Sequence, residues 1–254
     1  MKAQYYGETN IGKRRQRNED DFVLTNVWDD THILAVVVDG VGGYAGGDVA
    51  AHMACKCITE HITTIPERTL GKDLLKTAVL YANNSIHEQH CNPYFDKMCC
   101  VLTAILIDLE SGKADVCHVG DTRLYQLKSK AEEVASSFRK LTRDHSPVGE
   151  MEEKGELTES EAMRHPRRNI INRCVGKSHL DWDTDYIDSL SLQLEPSTLL
   201  LCSDGLYDMV HSTQTIEILQ EATTPQERVE KLINAALEAG GKDNVTVMVI
   251  DLHQ

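Results

Sequence analysis

The sequence predicts an α+β fold, a four-layer α-β-β-α sandwich in which two antiparallel β-sheets lie face to face with a helix pair outside each. Three observations predict it. Apolar, β-branched strand segments group with one another and helical segments do likewise, which argues against a βαβ repeat. Each helical stretch carries a single apolar face, and two facing sheets with helices outside would hide all of these faces. No Pro-, Gly- or Ser-rich linker and no internal repeat divides the 254 residues, so one domain spanning 1–254 is expected.

In chain order, periodicity predicts strands from Asp21 to Trp28 and from Ile33 to Asp39. A first helix follows the glycine-rich loop and puts Ala50, Met53, Ala54, Cys57, Ile58, His61 and Ile62 on one face; a second carries Leu74, Leu75, Ala78, Val79, Ala82 and Ile86 and stops before Pro93. A meander is expected next, with Cys100 to Leu109, a turn at Ser111-Gly112, Ala114 to Val119, a tight turn at Gly120-Asp121-Thr122, and Arg123 to Leu127. The polar stretch from Thr142 to Lys177 reads as an irregular insertion with one short helix around Thr158 to Met163, and long loops in compact domains are usually functional. Strands return at Trp182 to Ile187 and Thr198 to Cys202. Thr224-Pro225-Gln226-Glu227 is a capping box with proline at the first helical position. The helix it opens buries Val229, Leu232, Ile233 and Ala236, ends at Gly240-Gly241 and leads into a final strand.

Composition narrows the function. A hydrophobic content of 41% fits a protein with a real core, while a formal net charge of -14 argues against general nucleic-acid binding, which needs a basic face. No apolar stretch approaches the ~20 residues that span a bilayer, and Met1 to Gly7 lacks the apolar core of a signal peptide, so a cytoplasmic chain without membrane association is expected. Six of the eight cysteines, Cys55, Cys57, Cys99, Cys100, Cys117 and Cys202, lie in apolar segments and read as reduced, buried thiols. The Cys55/Cys57 and Cys99/Cys100 pairs lack the spacing of a structural zinc site. There is no Walker-type loop and no kinase catalytic loop, which argues against nucleotide-driven phosphoryl transfer.

The chemistry gathers at four acidic signatures: Arg15-Gln16-Arg17-Asn18-Glu19-Asp20, Asp39-Gly40-Val41-Gly42-Gly43, Asp204-Gly205 and Gly241-Lys242-Asp243-Asn244. Three of them sit where an apolar run stops or starts, after Ile33 to Val38, after Leu199 to Cys202 and before Val245 to Ile250. A carboxylate at the tip of a buried strand is costly unless its charge is compensated. Several such tips brought together call for cations, and all-oxygen ligation selects hard ions such as Mg²⁺ or Mn²⁺.

These residues resemble the metal-dependent serine/threonine protein phosphatases of the protein phosphatase 2C type, in their compact bacterial form. Arg15-x-x-Asn18-Glu19-Asp20, Asp39-Gly40-x-Gly42-Gly43, Gly120-Asp121-Thr122-Arg123, Leu141-Thr142-x-Asp144-His145-Ser146, Asp204-Gly205-Leu206 and Gly241-x-Asp243-Asn244-x-Thr246 occur in the family's order along the chain. The resemblance implies a metal centre at one edge of the sandwich, with Asp39 bridging two Mn²⁺ or Mg²⁺ ions, Gly40 offering its carbonyl to one, and Asp204 and Asp243 holding the other. Glu19 and Asp20 would stand beside the metals, and Arg15 would grip the phosphoryl oxygens as a planar fork. Asp121 reads either as a ligand of a third, weaker metal or as the cap of a β-turn. Asn18 and Asn244 would back the ligands, Asn244 by orienting Asp243, and Asp144 and His145 would fix the base of the insertion.

The implied activity is hydrolysis of phosphoserine and phosphothreonine on proteins. Two cations ~4 Å apart activate a bridging water and neutralise the charge of in-line attack. The insertion at about 145–177 corresponds to the family's variable flap, whose Arg164-His165-Pro166-Arg167-Arg168-Asn169 segment would contact the phosphoprotein. The expected partners are phosphorylated proteins and an opposing serine/threonine kinase; a monomer is expected. Val41 stands where animal members carry a histidine general acid, and Tyr44 where many bacterial relatives have histidine, so the leaving group takes its proton from elsewhere. Met98-Cys99-Cys100-Val101 replaces the family's usual Met-Gly-Thr-Thr. The competing readings are a non-catalytic phosphoprotein-binding regulator of the same fold, which would usually have lost metal aspartates, and a two-metal hydrolase of small phosphate esters.

Overall fold

The structure, a computed structural model, describes residues 1–28, 30–41, 46–65, 73–128 and 138–254. Gly42, Gly43 and Tyr44 lie outside the described residues. The chain divides into two compact units, one formed by residues 1–18, 120–172 and 195–254 and the other by residues 19–119 and 173–194. Each is built on a five-stranded antiparallel sheet.

In the second unit the strand order is β2 (Asp20–Val27), β3 (His32–Gly40), β4 (Cys100–Asp108), β5 (Lys113–Val119), β8 (Asp188–Gln193). Helices α1 (Gly47–Thr64) and α2 (Asp73–Glu88) pack on one face of this sheet. Strand side chains alternate, so Leu34, Val36 and Val38 meet the helices, where Ala50, Ala54, Ile58, Ile62, Leu75, Ala78, Val79, Ala82 and Ile86 close the core. Ile33, Ala35 and Val37 on the other face are equally shut off from solvent. That explains why β3 reads as a continuous apolar run. The two predicted helix faces are thus buried as expected, with Met53 and His61 at their half-exposed margins.

In the first unit the order is β1 (Lys2–Asn10), β10 (Val245–His253), β9 (Ser197–Cys202), β6 (Arg123–Lys128), β7 (Phe138–Lys140). Leu200, Cys202, Val245, Val247 and Val249 pack with Leu206, Val210 and Leu219 and with Val229, Leu232, Ile233 and Ala236 of α7 (Pro225–Glu238). Thr224 caps α7, its hydroxyl accepting from the Glu227 N–H at 3.2 Å. Glu227 turns back one residue further than a capping box requires, accepting from the Thr223 N–H (3.0 Å) and hydroxyl (2.8 Å).

Several expectations are corrected. The turn at Gly120 does not close a hairpin: β4 and β5 pair, but β6 pairs with β9 and β7, so the chain changes sheet there. Gly120 adopts φ +109°, a conformation that favours glycine. The strand placed at Trp182 to Ile187 instead spans Asp188–Gln193, where Leu190 and Leu192 alternate with exposed Ser189, Ser191 and Gln193 along the edge of the sheet. The insertion carries two helices, α3 (Pro147–Glu153) and α4 (Glu159–Ala162), the latter opened by a complete capping box at Thr158. β1 and α6 (Ser212–Glu221) had no clear sequence signal. No helix among the described residues is long and apolar enough to cross a membrane.

Candidate metal centre

In the second unit, the β2–β3 ladder ends with Asp20 directly opposite Asp39. Residues paired across a ladder project from the same face, and like charges so placed repel. Asp20 is buried and Asp39 half-buried, so water does little to relieve that repulsion. Gly40 donates its N–H to the Glu19 carbonyl at 2.9 Å. A Cβ on Gly40 would fall 2.3 Å from the Gly47 carbonyl oxygen and 2.7 Å from that of Glu19, so only glycine fits. The Glu19 carboxylate lies against Gly47, at the start of α1, where a side-chain methyl would stand 3.0 Å from its Oε1. Glu19, Asp20, Asp39 and Gly40 are therefore gathered at one end of this sheet.

In the first unit, two acidic turns lie on each other. Asp204 opens α5 (Asp204–Tyr207) directly after buried β9, and a Cβ on Gly205 would come within 1.9 Å of the Asn244 carbonyl oxygen. Ser203 and Thr246 lock the arrangement, the Ser203 N–H donating to the Thr246 carbonyl (3.1 Å) and the Thr246 N–H to Ser203 Oγ (3.0 Å). The Asp204-Gly205 and Asp243-Asn244 turns are thereby held against each other. Asp243 Oδ1 accepts from the Asn244 N–H at 2.8 Å, and Oδ2 accepts from Arg15 Nη2 at 2.8 Å. The Asn244 amide donates to the carbonyls of Ile11 and Arg17, each at 2.9 Å, so it braces the arginine-bearing loop and meets Asp243 through its backbone. Asn18 braces the same loop by donating to Thr9 Oγ1 at 2.9 Å, a hydroxyl that also bonds Thr246 Oγ1 at 2.7 Å.

Asp121 is buried in the Gly120 turn beside Arg123, Asp144, Tyr207 and Asp208, around a cavity of about 20 Å³ that also receives Arg168. Burial first, then the charge of Asp144, pushes the Asp121 carboxyl up to about 7, with Arg123 acting against them. Arg123 belongs to the Gly120-Asp121-Thr122-Arg123 motif, but its role has no signal in the sequence. Its Nε and Nη2 donate to Asp144 Oδ2 at 3.0 and 2.6 Å, Nη2 also reaches Glu152 at 3.1 Å, and the guanidinium sits 3.6 Å above the Tyr207 ring centre. Burial works against its charge, but Asp144, Tyr125, Tyr207 and Glu152 outweigh that. Asp144 and His145 hold the base of the insertion as expected, His145 Nδ1 accepting from the Gly120 N–H at 3.0 Å. Arg168 is engaged too, donating to Asp208 at 2.7 Å, which leaves Arg167 as the exposed arginine of that pair.

The candidate donors in each unit are oxygen atoms, chiefly of carboxylates, which suit Mg²⁺ or Mn²⁺. The opposed Asp20 and Asp39 carboxylates are where a cation would relieve repulsion, so the residues fit a hard divalent metal. Two antiparallel sheets with flanking helices, and acidic side chains at strand ends suited to a divalent cation, define an α+β protein of a metal-binding kind. A family model described as Protein phosphatase 2C matches residues 9–239, and the chain belongs to that family. It is 33% identical to the serine/threonine phosphatase stp of Listeria monocytogenes, over 96% of this chain and 93% of that protein. The structure of the Mycobacterium tuberculosis serine/threonine phosphatase PstP/Ppp superposes with a TM-score of 0.83 at 29% identity, covering 99% of both chains. The catalytic domain of PstP in complex with two manganese ions gives 0.81 at 27% identity, again over 99% of both. The predicted α+β sandwich class is that of these structures.

Proposed function

We infer that this chain is one catalytic domain, with a flap at about 145–177, that hydrolyses phosphoserine and phosphothreonine on proteins. Asp39, the Gly40 carbonyl, Asp204 and Asp243 are the ligands of a two-metal centre, with Glu19 and Asp20 beside it and Asp121 serving a third, weaker site. The observation that carries this reading is the seating of Asp204-Gly205 on Asp243-Asn244, a contact too close for any side chain at position 205. It holds together two acidic turns, each at the end of a buried strand, an arrangement costly for a protein that does not bind a cation there.

Bound divalent cations supply an activated water and neutralise the developing charge on the phosphate. The chain's own residues supply the rest. Arg15 is 37% exposed and pairs with Asp243, an interaction that at this exposure contributes only ~0–1 kcal/mol. It can therefore leave Asp243 for the phosphoryl oxygens, which its fork matches in geometry. Asn18 and Asn244 keep the loop that carries it in register. Arg167, exposed on the flap, is available to the phosphoprotein, while Arg168 positions the flap through Asp208. In the cell the substrates are phosphoproteins made by a serine/threonine kinase in the cytoplasm.

The test is hydrolysis of a phosphothreonine peptide and an aryl phosphate with Mn²⁺, Mg²⁺ or chelator, beside Asp39→Asn. Metal-dependent turnover that disappears in the variant is the expected result. Inactivity of metal-loaded protein on both substrates would instead favour a phosphoprotein-binding regulator.

A further inference from the structure

Two buried thiols play no part in that chemistry. Cys99 precedes β4 and Cys174 lies near the end of the flap, and each is only 6% exposed. An isolated antiparallel bridge joins their neighbours, the Cys100 N–H donating to the Val175 carbonyl at 3.1 Å and the Val175 N–H to the Cys100 carbonyl at 2.7 Å. The antiparallel register sets Cys99 opposite Gly176 and Cys174 opposite Val101, so the two cysteines lie diagonally on one face of the bridge, where their thiols interact. Both backbones are held. The Tyr186 hydroxyl accepts from the Cys174 N–H at 2.9 Å and donates to its carbonyl at 3.2 Å. Gly176, at φ +97°, passes so close to Ile86 that a Cβ would lie 2.2 Å from its methyl carbon.

We propose that Cys99 and Cys174 form a reversible, peroxide-sensitive disulfide that ties the start of β4 to the end of the flap. The two side chains share one face of the bridge as a diagonal pair, so a disulfide between them keeps the Cys100–Val175 pairing intact. The bond from Cys99 and the nearby Lys177 ammonium favour the thiolate of Cys174 against its burial, which makes Cys174 the attacking sulfur. In the first step Cys174 thiolate attacks hydrogen peroxide: an S–O bond forms, the O–O bond breaks and the departing oxygen leaves as water, giving a sulfenic acid. In the second, Cys99 sulfur attacks Cys174 sulfur: an S–S bond forms, the S–O bond breaks and a second water leaves. Two thiols lose two electrons and their protons, and one peroxide becomes two waters. A dithiol reductant reverses the change by exchange.

The proposal is independent of the phosphatase reading and is tested on the whole protein without an activity assay. Folded protein is treated with hydrogen peroxide, alkylated and mapped by mass spectrometry beside Cys99→Ser, Cys174→Ser and Cys100→Ser. The expected result is a peptide pair linked through Cys99 and Cys174, lighter by two hydrogens, reversed by dithiothreitol, present in Cys100→Ser and absent in the other two variants. The link also closes a loop of roughly 75 residues, so the oxidised protein should melt at a higher temperature than the reduced. Recovery of Cys99 and Cys174 as free thiols or as sulfinic acids while circular dichroism shows an intact fold would overturn the proposal. So would a link that survives in Cys174→Ser.

Discussion

Gly205→Ala tests whether the contact between the two acidic turns sets the metal site. An added Cβ would stand 1.9 Å from the Asn244 carbonyl oxygen and 2.8 Å from its carbon, both backbone atoms that cannot swing away. Opening the 1.9 Å contact to an ordinary 3.4 Å requires α5 and the Asp243-Asn244 turn to separate by about 1.5 Å. Overpacking of this kind costs ~1–3 kcal/mol of stability, or roughly 2–12 °C in Tm for a chain of this size. The effect on function should be larger than this suggests, because a displacement of ~1 Å in a catalytic constellation costs about 10²-fold in rate. Aryl phosphate hydrolysis at saturating Mn²⁺ would show kcat/KM down by about two orders of magnitude, with manganese affinity weakened and the far-ultraviolet spectrum retained. A folded variant whose kcat/KM and manganese affinity stay within about threefold of the parent would refute the reasoning, since a ~1.5 Å separation could not then matter.

Two further outcomes follow from the same geometry. Arg228→Met strips the buried Asp251 carboxylate of the guanidinium that donates to its Oδ2 at 2.6 Å, leaving the Thr198 hydroxyl; the loss should be ~3 kcal/mol and ~6–12 °C in Tm by calorimetry, with kcat/KM unchanged. Asp20→Asn removes one of the two like charges facing each other across β2 and β3, so in chelator it should raise Tm by ~1–4 °C, while Mn²⁺ should stabilise the variant less than the parent; a lower Tm in chelator would contradict the repulsion.

The elements legible in the sequence are those whose signal is local. Ile33 to Val38 could be read as a strand because β-branched residues fit a pleated, buried surface, and Asp39 at its end stood out because a carboxylate there needs compensation. Thr224-Pro225 announced α7 because capping needs only groups within one turn. β1 carries little local signal because its residues are only partly buried and its order comes from pairing with β10, more than 230 positions away in the chain. β8 lies further along the chain than periodicity suggests because an edge strand of alternating Leu and Ser has a weak apolar signal, and its pairing with β5 settles its place.

The site divides along the same line. Residue chemistry determined the donors: acidic side chains and glycines at strand ends can be named from the sequence, because their charge and their lack of a Cβ are intrinsic. Tertiary structure decided which groups meet. Arg15 reaches Asp243 across 228 positions, Arg123 is fixed by Asp144 and Glu152, and Arg168 is taken by Asp208. Cys99 and Cys174 share one face as a diagonal pair because one backbone bridge joins their neighbours. Such partnerships depend on distances of a few ångströms between segments remote in the chain, and no periodicity or composition encodes them.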